Sequence, residues 1–396
     1  WVISEENFFE PLKDVFSFFK LKGSWGMMGN DNITAYQYLS MYSFNTDSYY
    51  AFGKTPVSVQ SIYETVTANP LVTWETAKTW NIGFSSQFLN GKLGLDLDYF
   101  QSNRNDILIT RNASIPTYSG LSLPAENLGK VKNHGFEAIA TYRDSKGDFE
   151  WGVTGNVTYA KNEVVYADEA ADTPAWQRET GHPIDGGTYY KALGIYQTQE
   201  QIESTPHLSG TKIGDLIYQD TNKDGNITWD DAVRRDKSAT PKWIFGLTLN
   251  GSWKGMDVNA FFQGQADAEI LVQPTMNMAT DFYEGRWSES NTAEQNAAAK
   301  WPRAFMKASS VDNRNSQSST WWLRDASFVR LKSLEIGYTF PKTLISPLGV
   351  EKLRLYVNGN NLFTIDSVGI FDPEMTNGIR GYSLQRSWTF GLNVTF

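Results

Sequence analysis

The sequence contains no cysteine, so neither a disulfide framework nor thiol chemistry is open to it. Histidine is nearly absent as well. His134, His182 and His207 are the whole set, they lie far apart, and they form no His-Glu-x-x-His pair. His134 lies at the entry to a strand and reads as structural. There is no Gly-x-Ser-x-Gly elbow and no phosphate-cradling Gly-x-x-x-x-Gly-Lys loop. Carboxylate pairs can always be drawn among 44 acidic residues, so they point to nothing. Together these absences argue against an enzyme. Lys/Arg-rich tracts are missing too. The net charge is -9 and the pI near 5.0, which argues against nucleic acid as a partner, because a phosphate backbone requires a basic face. No stretch approaches the roughly 18 consecutive apolar residues of a transmembrane helix. The chain opens Trp1-Val2-Ile3-Ser4 with no signal-peptide pattern, and reads as a fragment of something longer.

What the sequence has in quantity is aromatic residues: 14 Trp, 19 Tyr and 23 Phe. On composition alone two all-β readings stand side by side. One is an outer-membrane barrel, whose aromatics gather in two girdles. The other is a secreted carbohydrate-binding sandwich. A mean hydropathy of -0.42 suits the barrel, because strands that alternate between lipid and a wet lumen average out to polar.

Patterning separates the two. Trp388, Phe390, Leu392, Val394 and Phe396 are apolar at every second position and alternate with Thr389, Gly391, Asn393 and Thr395. That is a strand with one apolar face, and in a barrel it must pair to close the wall. The same alternation recurs in hairpins. Trp80, Ile82 and Phe84 turn at Asn90-Gly91 into Leu93, Leu95, Leu97 and Tyr99, and Asn-Gly between alternating runs is a strong hairpin signal. Phe136, Ala138, Ala140 and Tyr142 turn at Ser145-Lys146-Gly147 into Trp151, Val153 and Val157. Trp243, Phe245, Leu247 and Leu249 turn at Lys254-Gly255 into Val258, Ala260 and Phe262. Leu334, Ile336, Tyr338 and Phe340 lead through Pro341 to Leu353, Leu355 and Val357, and Leu21, Gly23 and Trp25 form one more strand.

These runs predict about ten antiparallel strands, the even number that barrels prefer. Their connections alternate between very short turns and long segments at 27–73, 111–129, 167–240, 272–326 and 366–384. Outer-membrane barrels sort their loops in this way, with the long set outside the cell; a sandwich has no reason to. Asp96, Asp98, Glu137 and Glu335 lie opposite the apolar faces, where a wet lumen tolerates charge that lipid or a filled core would not.

Several stretches resemble one family in order along nearly the whole chain. They are Leu21-Lys22-Gly23-Ser24-Trp25-Gly26 with Gly29-Asn30-Asp31-Asn32-Ile33, and Asn69-Pro70 through Trp74-Glu75. Asn127-Leu128-Gly129-Lys130-Val131-Lys132-Asn133-His134-Gly135-Phe136-Glu137 follows, then Gly214-Asp215 through Asp231. Phe261-Phe262-Gln263-Gly264, Trp322-Leu323-Arg324-Asp325-Ala326-Ser327 and Val357-Asn358-Gly359-Asn360-Asn361-Leu362 complete the set. In these the sequence is similar to the C-terminal half of SusC/RagA-type TonB-linked outer-membrane transporters. The resemblance implies a plugged barrel of about 22 strands, so residues 1–396 would supply its C-terminal strands, without the plug and the N-terminal strands. It further implies a bacterial outer-membrane location, with the lipid bilayer and the N-terminal half of the barrel as partners. TonB would drive import of oligosaccharides or peptides, and a SusD-like surface lipoprotein would lie over the loops. A passive barrel or adhesin is the alternative on the same architecture.

Two sets of loop residues carry candidate chemistry. Asp220, Asn222 and Asp224 with Gly225, Asn226, Thr228 and Asp231 fit an EF-hand-type calcium loop, in which oxygen ligands converge from alternate residues around a sharp glycine turn. Asn226 would offer its carbonyl and Thr228 would bind directly or through water. Asp231 stands where Glu is usual, and no helix pair flanks the motif, so the expected ion is a structural clip on the 167–240 loop. The alternative is a polar turn built on Asn, Asp and Gly chemistry. Tyr283, Trp287, Trp301, Trp321 and Trp322, with Arg286 and Arg324, are candidates for stacking on a substrate or a partner; packing within the loops is the competing reading. Trp388, Phe390, Leu392, Val394 and Phe396 are expected to close the barrel.

Overall fold

The computed structural model describes the chain apart from residues 46–48, 53–54, 59, 112–122, 273–278, 305–313, 370 and 376–381. Ten strands form one antiparallel sheet in strict sequence order. They are β1 (Phe16–Asn30), β2 (Glu75–Phe88), β3 (Leu93–Thr110), β4 (Ala125–Lys146), β5 (Phe149–Tyr166), β6 (Trp243–Trp253), β7 (Met256–Ala266), β8 (Phe328–Thr339), β9 (Lys352–Asp366) and β10 (Ser387–Thr395). The expected strand number and meander are both present. No second sheet packs on this one among the described residues, so the sandwich reading fails. The ten strands do not close on themselves: β1 and β10 are the two ends of the sheet.

Turn chemistry sets the short rim. Leu89 and Asn90 both take positive φ, followed by Gly91 at +84°, which lets β2 reverse into β3 within a few residues. Gly147 joins β4 to β5, and Lys254-Gly255 joins β6 to β7. All long connections leave from the opposite rim.

Several strands are longer than the alternating runs predicted. β4 has 22 residues and β3 and β5 have 18 each, whereas about 9–11 residues cross a bilayer. Parts of the segments expected as loops, 27–73 and 111–129, are therefore wall. The apolar signal stops there because the strands have passed out of the lipid band and need no greasy face.

One face of the sheet is apolar and uncovered. Ile82, Leu247, Leu249, Val258, Ile336 and Leu355 are all exposed, an arrangement that a water-soluble surface avoids and that lipid satisfies. The other face is ionic. Lys22 Nζ lies 2.6 Å from Asp98 and 3.8 Å from Asp96. Arg354 Nε donates to Asp257 Oδ1 at 3.0 Å, and its Nη2 lies 2.7 Å from Glu335. Glu137 is the register partner of Asp98 on this same face. All four carboxylates expected on the wet side are there.

The final strand pairs with β9 from Asn360↔Ser387 to Lys352↔Thr395. Trp388, Phe390, Leu392, Val394 and Phe396 are exposed, Phe396 at 85%. The outer edge of this strand pairs with no other strand among the described residues, so the closure expected of it is not formed within this sheet.

Candidate functional site

The long connections are not independent loops. The described residues of 167–242 and 267–327 build one folded unit on the long-loop rim. Short strand pairs order it: Ala192–Ile195 with Leu216–Tyr218, and Glu269–Leu271 with Leu323–Asp325. Helix Gln199–Ser204 is fixed by a capping box of Thr198 and Gln201, and Ala293–Ala297 by Thr292 and Gln295, which satisfy otherwise orphaned N–H groups. Backbone bonds stitch the two segments together: Tyr190 N to Ser318 O, Thr320 N to Tyr190 O and Arg303 N to Gly214 O, all within 2.9 Å.

Inside this unit is a hydrophobic core of Tyr190, Leu216, Tyr218, Ile270, Val272, Trp287, Trp301 and Trp322, to which Val368 comes from the last loop. Trp301 and Trp322 stack with centroids 5.7 Å apart. Trp322 is fully buried and its indole N–H donates to Asn315 O at 2.9 Å. Asp215, also fully buried, accepts from Asn315 Nδ2 at 2.8 Å and from Lys212 N at 2.8 Å, and lies 2.6 Å from Arg303 Nε. A buried carboxylate is tolerable only with such partners. Burial pushes the Tyr218 phenol above its ordinary pKa, so it stays a neutral donor, here to Arg314 O at 2.5 Å.

The seven loop residues singled out from the sequence therefore divide. Trp287, Trp301 and Trp322 are packing residues, buried at 8%, 5% and 0% exposure; a solute can reach at most the edges of the first two. Tyr283 is exposed and its ring lies 3.9 Å from the Arg286 guanidinium. Trp321 and Arg324 line an open cleft of about 820 Å³ together with Glu284, Lys300, Thr320 and an edge of Trp301. Arg324 Nη1 donates to Trp321 O and Leu323 O at 2.7 and 2.8 Å, and the guanidinium lies 5.2 Å from the Trp301 ring. Burial lowers its pKa from the ordinary value, yet an arginine remains a cation. The cleft thus offers a flat aromatic surface, two cations and a carboxylate in one place. Such a surface has the groups that stacking and hydrogen bonding require. Its position could have been inferred from the clustered Trp and Arg, but the division into core and cleft could not, because it depends on which loops pack together.

The calcium-type segment is a tight turn anchored by buried Ile227. Asp220 accepts from Lys223 N at 2.7 Å and Gly225 N at 3.0 Å, and Asp224 accepts from Asn226 N at 2.7 Å. The Asn226 N–H first, then the Asn222 amide, hold the Asp224 carboxyl below the usual range. Thr228 and Asp231 form a capping box over the Trp229–Asp231 turn. Asp231 is fully buried, with Oδ1 2.7 Å from Thr221 N and Oδ2 2.8 Å from Thr228 N. Among the described residues no three His, Asp or Glu side chains come together as a metal cluster. His182 Nδ1 lies 2.7 Å from Asp236, while His134 is on the wall and His207 bonds only its own loop through Thr205 O.

Comparison with known proteins agrees with this architecture. Residues 19–362 match the family described as TonB dependent receptor-like, beta-barrel. The chain is 28% identical to TonB-dependent receptor P3 of Formosa agariphila, covering 100% of this chain and 41% of that protein. It is 27% identical to TonB-dependent receptor SusC of Bacteroides thetaiotaomicron, over 100% of this chain and 39% of the relative. The structure of the RagAB peptide importer in an open-open state superimposes with a TM-score of 0.72 at 21% identity, over 100% of this chain and 42% of that one. The chain spans about two fifths of the length of these relatives. It belongs to the β-barrel family of TonB-dependent receptors, proteins of the bacterial outer membrane.

Proposed function

We propose that this receptor segment is the C-terminal part of a TonB-driven importer whose loop unit presents the cleft beside Trp321 and Arg324 to oligosaccharides or peptides. One observation supports it above the others: two of the long loops on one rim, joined by Val368 of a third, fold into a single cored unit beside an open, aromatic and charged cleft. Aromatic faces stack on sugar rings, and an arginine with lysine beside it suits carboxylate or hydroxyl groups. A SusD-like lipoprotein covers the loops in this reading, meeting exposed Tyr283 and Tyr382, which is 98% exposed. TonB acts through the part of the receptor outside this chain.

The test is energised uptake by whole cells of fluorescent oligosaccharides and oligopeptides, with and without the receptor gene. Uptake should require the gene and stop when the proton gradient is collapsed. Gene-dependent uptake that survives an uncoupler would instead establish the passive barrel. Trp321→Ala with Arg324→Gln should lower uptake at limiting substrate and leave the receptor's membrane level unchanged.

A structural calcium ion is proposed for the Asp220–Asp231 turn. Asp220, Asn222 and Asp224 would supply side-chain oxygens, Asn226 its carbonyl and Thr228 its hydroxyl. Asp231 either remains the inner clamp it is here or turns outward as the last ligand. Hard oxygen donors on a glycine-centred turn suit Ca²⁺. Metal analysis of the purified receptor should find one calcium that Asp220→Asn removes; a metal-free parent protein would refute the assignment.

A further inference from the structure

Arginines packed into the loop unit face carboxylates. Arg303 lies 2.6 Å from Asp215, Arg235 2.6 Å from Glu269 and Arg234 3.2 Å from Glu179. The pattern has a physical basis, because a cation drawn out of water is costly until an anion offsets it. Arg324 departs from it. It is half-buried, and its Nη1 is occupied by the Trp321 and Leu323 carbonyls at 2.7 and 2.8 Å. Burial alone moves its pKa, downward, with no charged neighbour acting on it. Its Nε–H and Nη2–H groups have no protein partner among the described residues.

The cleft beside Arg324 holds a second cation, Lys300, which is exposed and forms no ion pair among the described residues. The backbone fixes its place: Lys300 N donates to Gly285 O at 2.9 Å, and Trp287 N to Trp301 O at 2.9 Å. Gly285 keeps this corner open, since a Cβ there would sit 3.1 Å from the Trp301 ring. Against the two cations stands one lining carboxylate, Glu284. The cleft is therefore net positive in a chain of net charge -9. Trp321 supplies the aromatic surface. Its indole N–H is shut away from solvent and unpartnered, so what the ring turns toward the cleft is carbon.

We infer that this cleft takes an acidic oligosaccharide: a sugar-borne oxyanion, carboxylate or sulfate ester, docks on Arg324 with Lys300 beside it, and the sugar ring lies on Trp321. The inference rests on the reading of the cleft as a substrate site and names the substrate class. A carboxylate or sulfate presents two oxygens side by side, which the Nε–H and Nη2–H groups of a guanidinium meet as a fork. Such a ligand gives Arg324 the anion that Arg303, Arg234 and Arg235 already have. A peptide lacks the main-chain partners it would need here. Peptides that bind a strand add to its edge through backbone bonds, and Arg324 already occupies the carbonyls of Trp321 and Leu323. A sugar ring needs only the aromatic face.

The intact receptor, purified in mild detergent, tests it by calorimetric titration. The ligands are trigalacturonate, its neutral counterpart galactotriose, a sulfated galactose oligosaccharide and triglutamate. An acidic sugar should bind at least about tenfold more tightly than galactotriose, and whichever of the two acidic sugars binds more tightly identifies the oxyanion. Arg324→Gln should weaken that binding by roughly 10- to 100-fold, and Lys300→Gln by roughly two- to fivefold. Neither should change galactotriose binding. Glu284→Gln removes a like charge and should tighten the acidic sugars alone. Equal affinity for acidic and neutral sugars, both lost in Trp321→Ala, would overturn the acidic assignment and leave the cleft as a substrate site. Tighter binding of triglutamate than of either acidic sugar would overturn the sugar. Failure of every ligand to bind would remove this inference together with the reading beneath it. Should Arg324→Gln not fold, the parent protein still decides. Raising the salt concentration should weaken acidic-sugar binding and spare galactotriose, and salt-insensitive binding of the acidic sugars would refute the ion pair.

Discussion

The wall and the loop unit of this receptor are stabilised by opposite means. In the wall, neighbouring strands pair residue by residue over most of their length, as from Lys132↔Glu163 to Lys146↔Phe149 between β4 and β5, and large apolar side chains stand exposed. In the loop unit, strands are two to four residues long and stability comes from a dry core around Trp322. The wall obeys the rule for lipid, where every backbone group must be paired within the sheet. The loop unit obeys the rule for water, where apolar burial offsets chain entropy. One chain therefore contains two folding problems, and a substitution in one should leave the other largely intact.

The sharpest way to break the wall is at Gly135. A Cβ there would sit 1.9 Å from the carbonyl oxygen of Tyr159 and 2.9 Å from the Phe100 ring. The carbonyl belongs to the neighbouring strand and cannot swing aside. Gly135→Val should abolish assembly, with loss of the folded, faster-migrating band on unheated gels. A normal folded band would show that β4 and β5 can separate locally without losing the barrel.

Trp322→Ala should do the converse. It removes a fully buried indole and its bond to Asn315, at a cost of about 3–5 kcal/mol. The loss should fall on the loop unit alone. We expect rapid proteolysis and hydrogen exchange across 188–234 and 314–325, with heat-modifiable migration retained. If the wall destabilises equally, the two regions fold as one.

Arg330 measures how far they are joined. It rises from β8, is 1% exposed, and holds Asp372 of the last loop at 2.7 Å and Thr364 at 2.9 Å, with Glu374 as a further partner. Arg330→Gln should cost about 2 kcal/mol, below the 3–5 kcal/mol typical of a broken buried pair, because Glu374 keeps solvent access. The last loop should then exchange faster than either the wall or the Trp322 core. Unchanged exchange at 367–375 would mean the loop is held by Val368 packing instead.

The same division explains what could be read from the sequence. The wall was legible because a half-buried strand writes its environment into every second residue, as Leu93, Leu95 and Leu97 do against Asp96 and Asp98. Strand ends were not, because on β4 Lys130, Lys132 and His134 continue the side on which Phe136, Ala138 and Ala140 stand, so the apolar row that marks the strand stops short of its end. The loop unit was nearly silent. Trp301 and Trp322 meet through pairings such as Tyr190 with Ser318, and neither the short strands nor the capped helices carry a long enough period to announce them. Aromatic content alone could not tell a packing tryptophan such as Trp322 from a cleft tryptophan such as Trp321.

The smallest expected effect separates the loop turn from the wall by pH. Asp224 is exposed, and the Asn226 N–H, with the Asn222 amide, lowers its carboxyl pKa. A carboxyl that ionises more easily when folded stabilises the turn at any pH above its unfolded value of about 3.9. That contribution is lost as pH falls through the lower folded value. Acidification should therefore loosen 220–231 before the barrel changes, because strand pairing in the wall does not depend on this charge. Hydrogen exchange at Gly225 and Asn226, followed from pH 6 downward, reads it directly. Asp224→Asn should flatten the dependence while keeping an Asn side chain that can still accept from Asn226. If exchange at these two amides is as pH-dependent in the variant as in the parent, Asp224 is not the group that holds the turn.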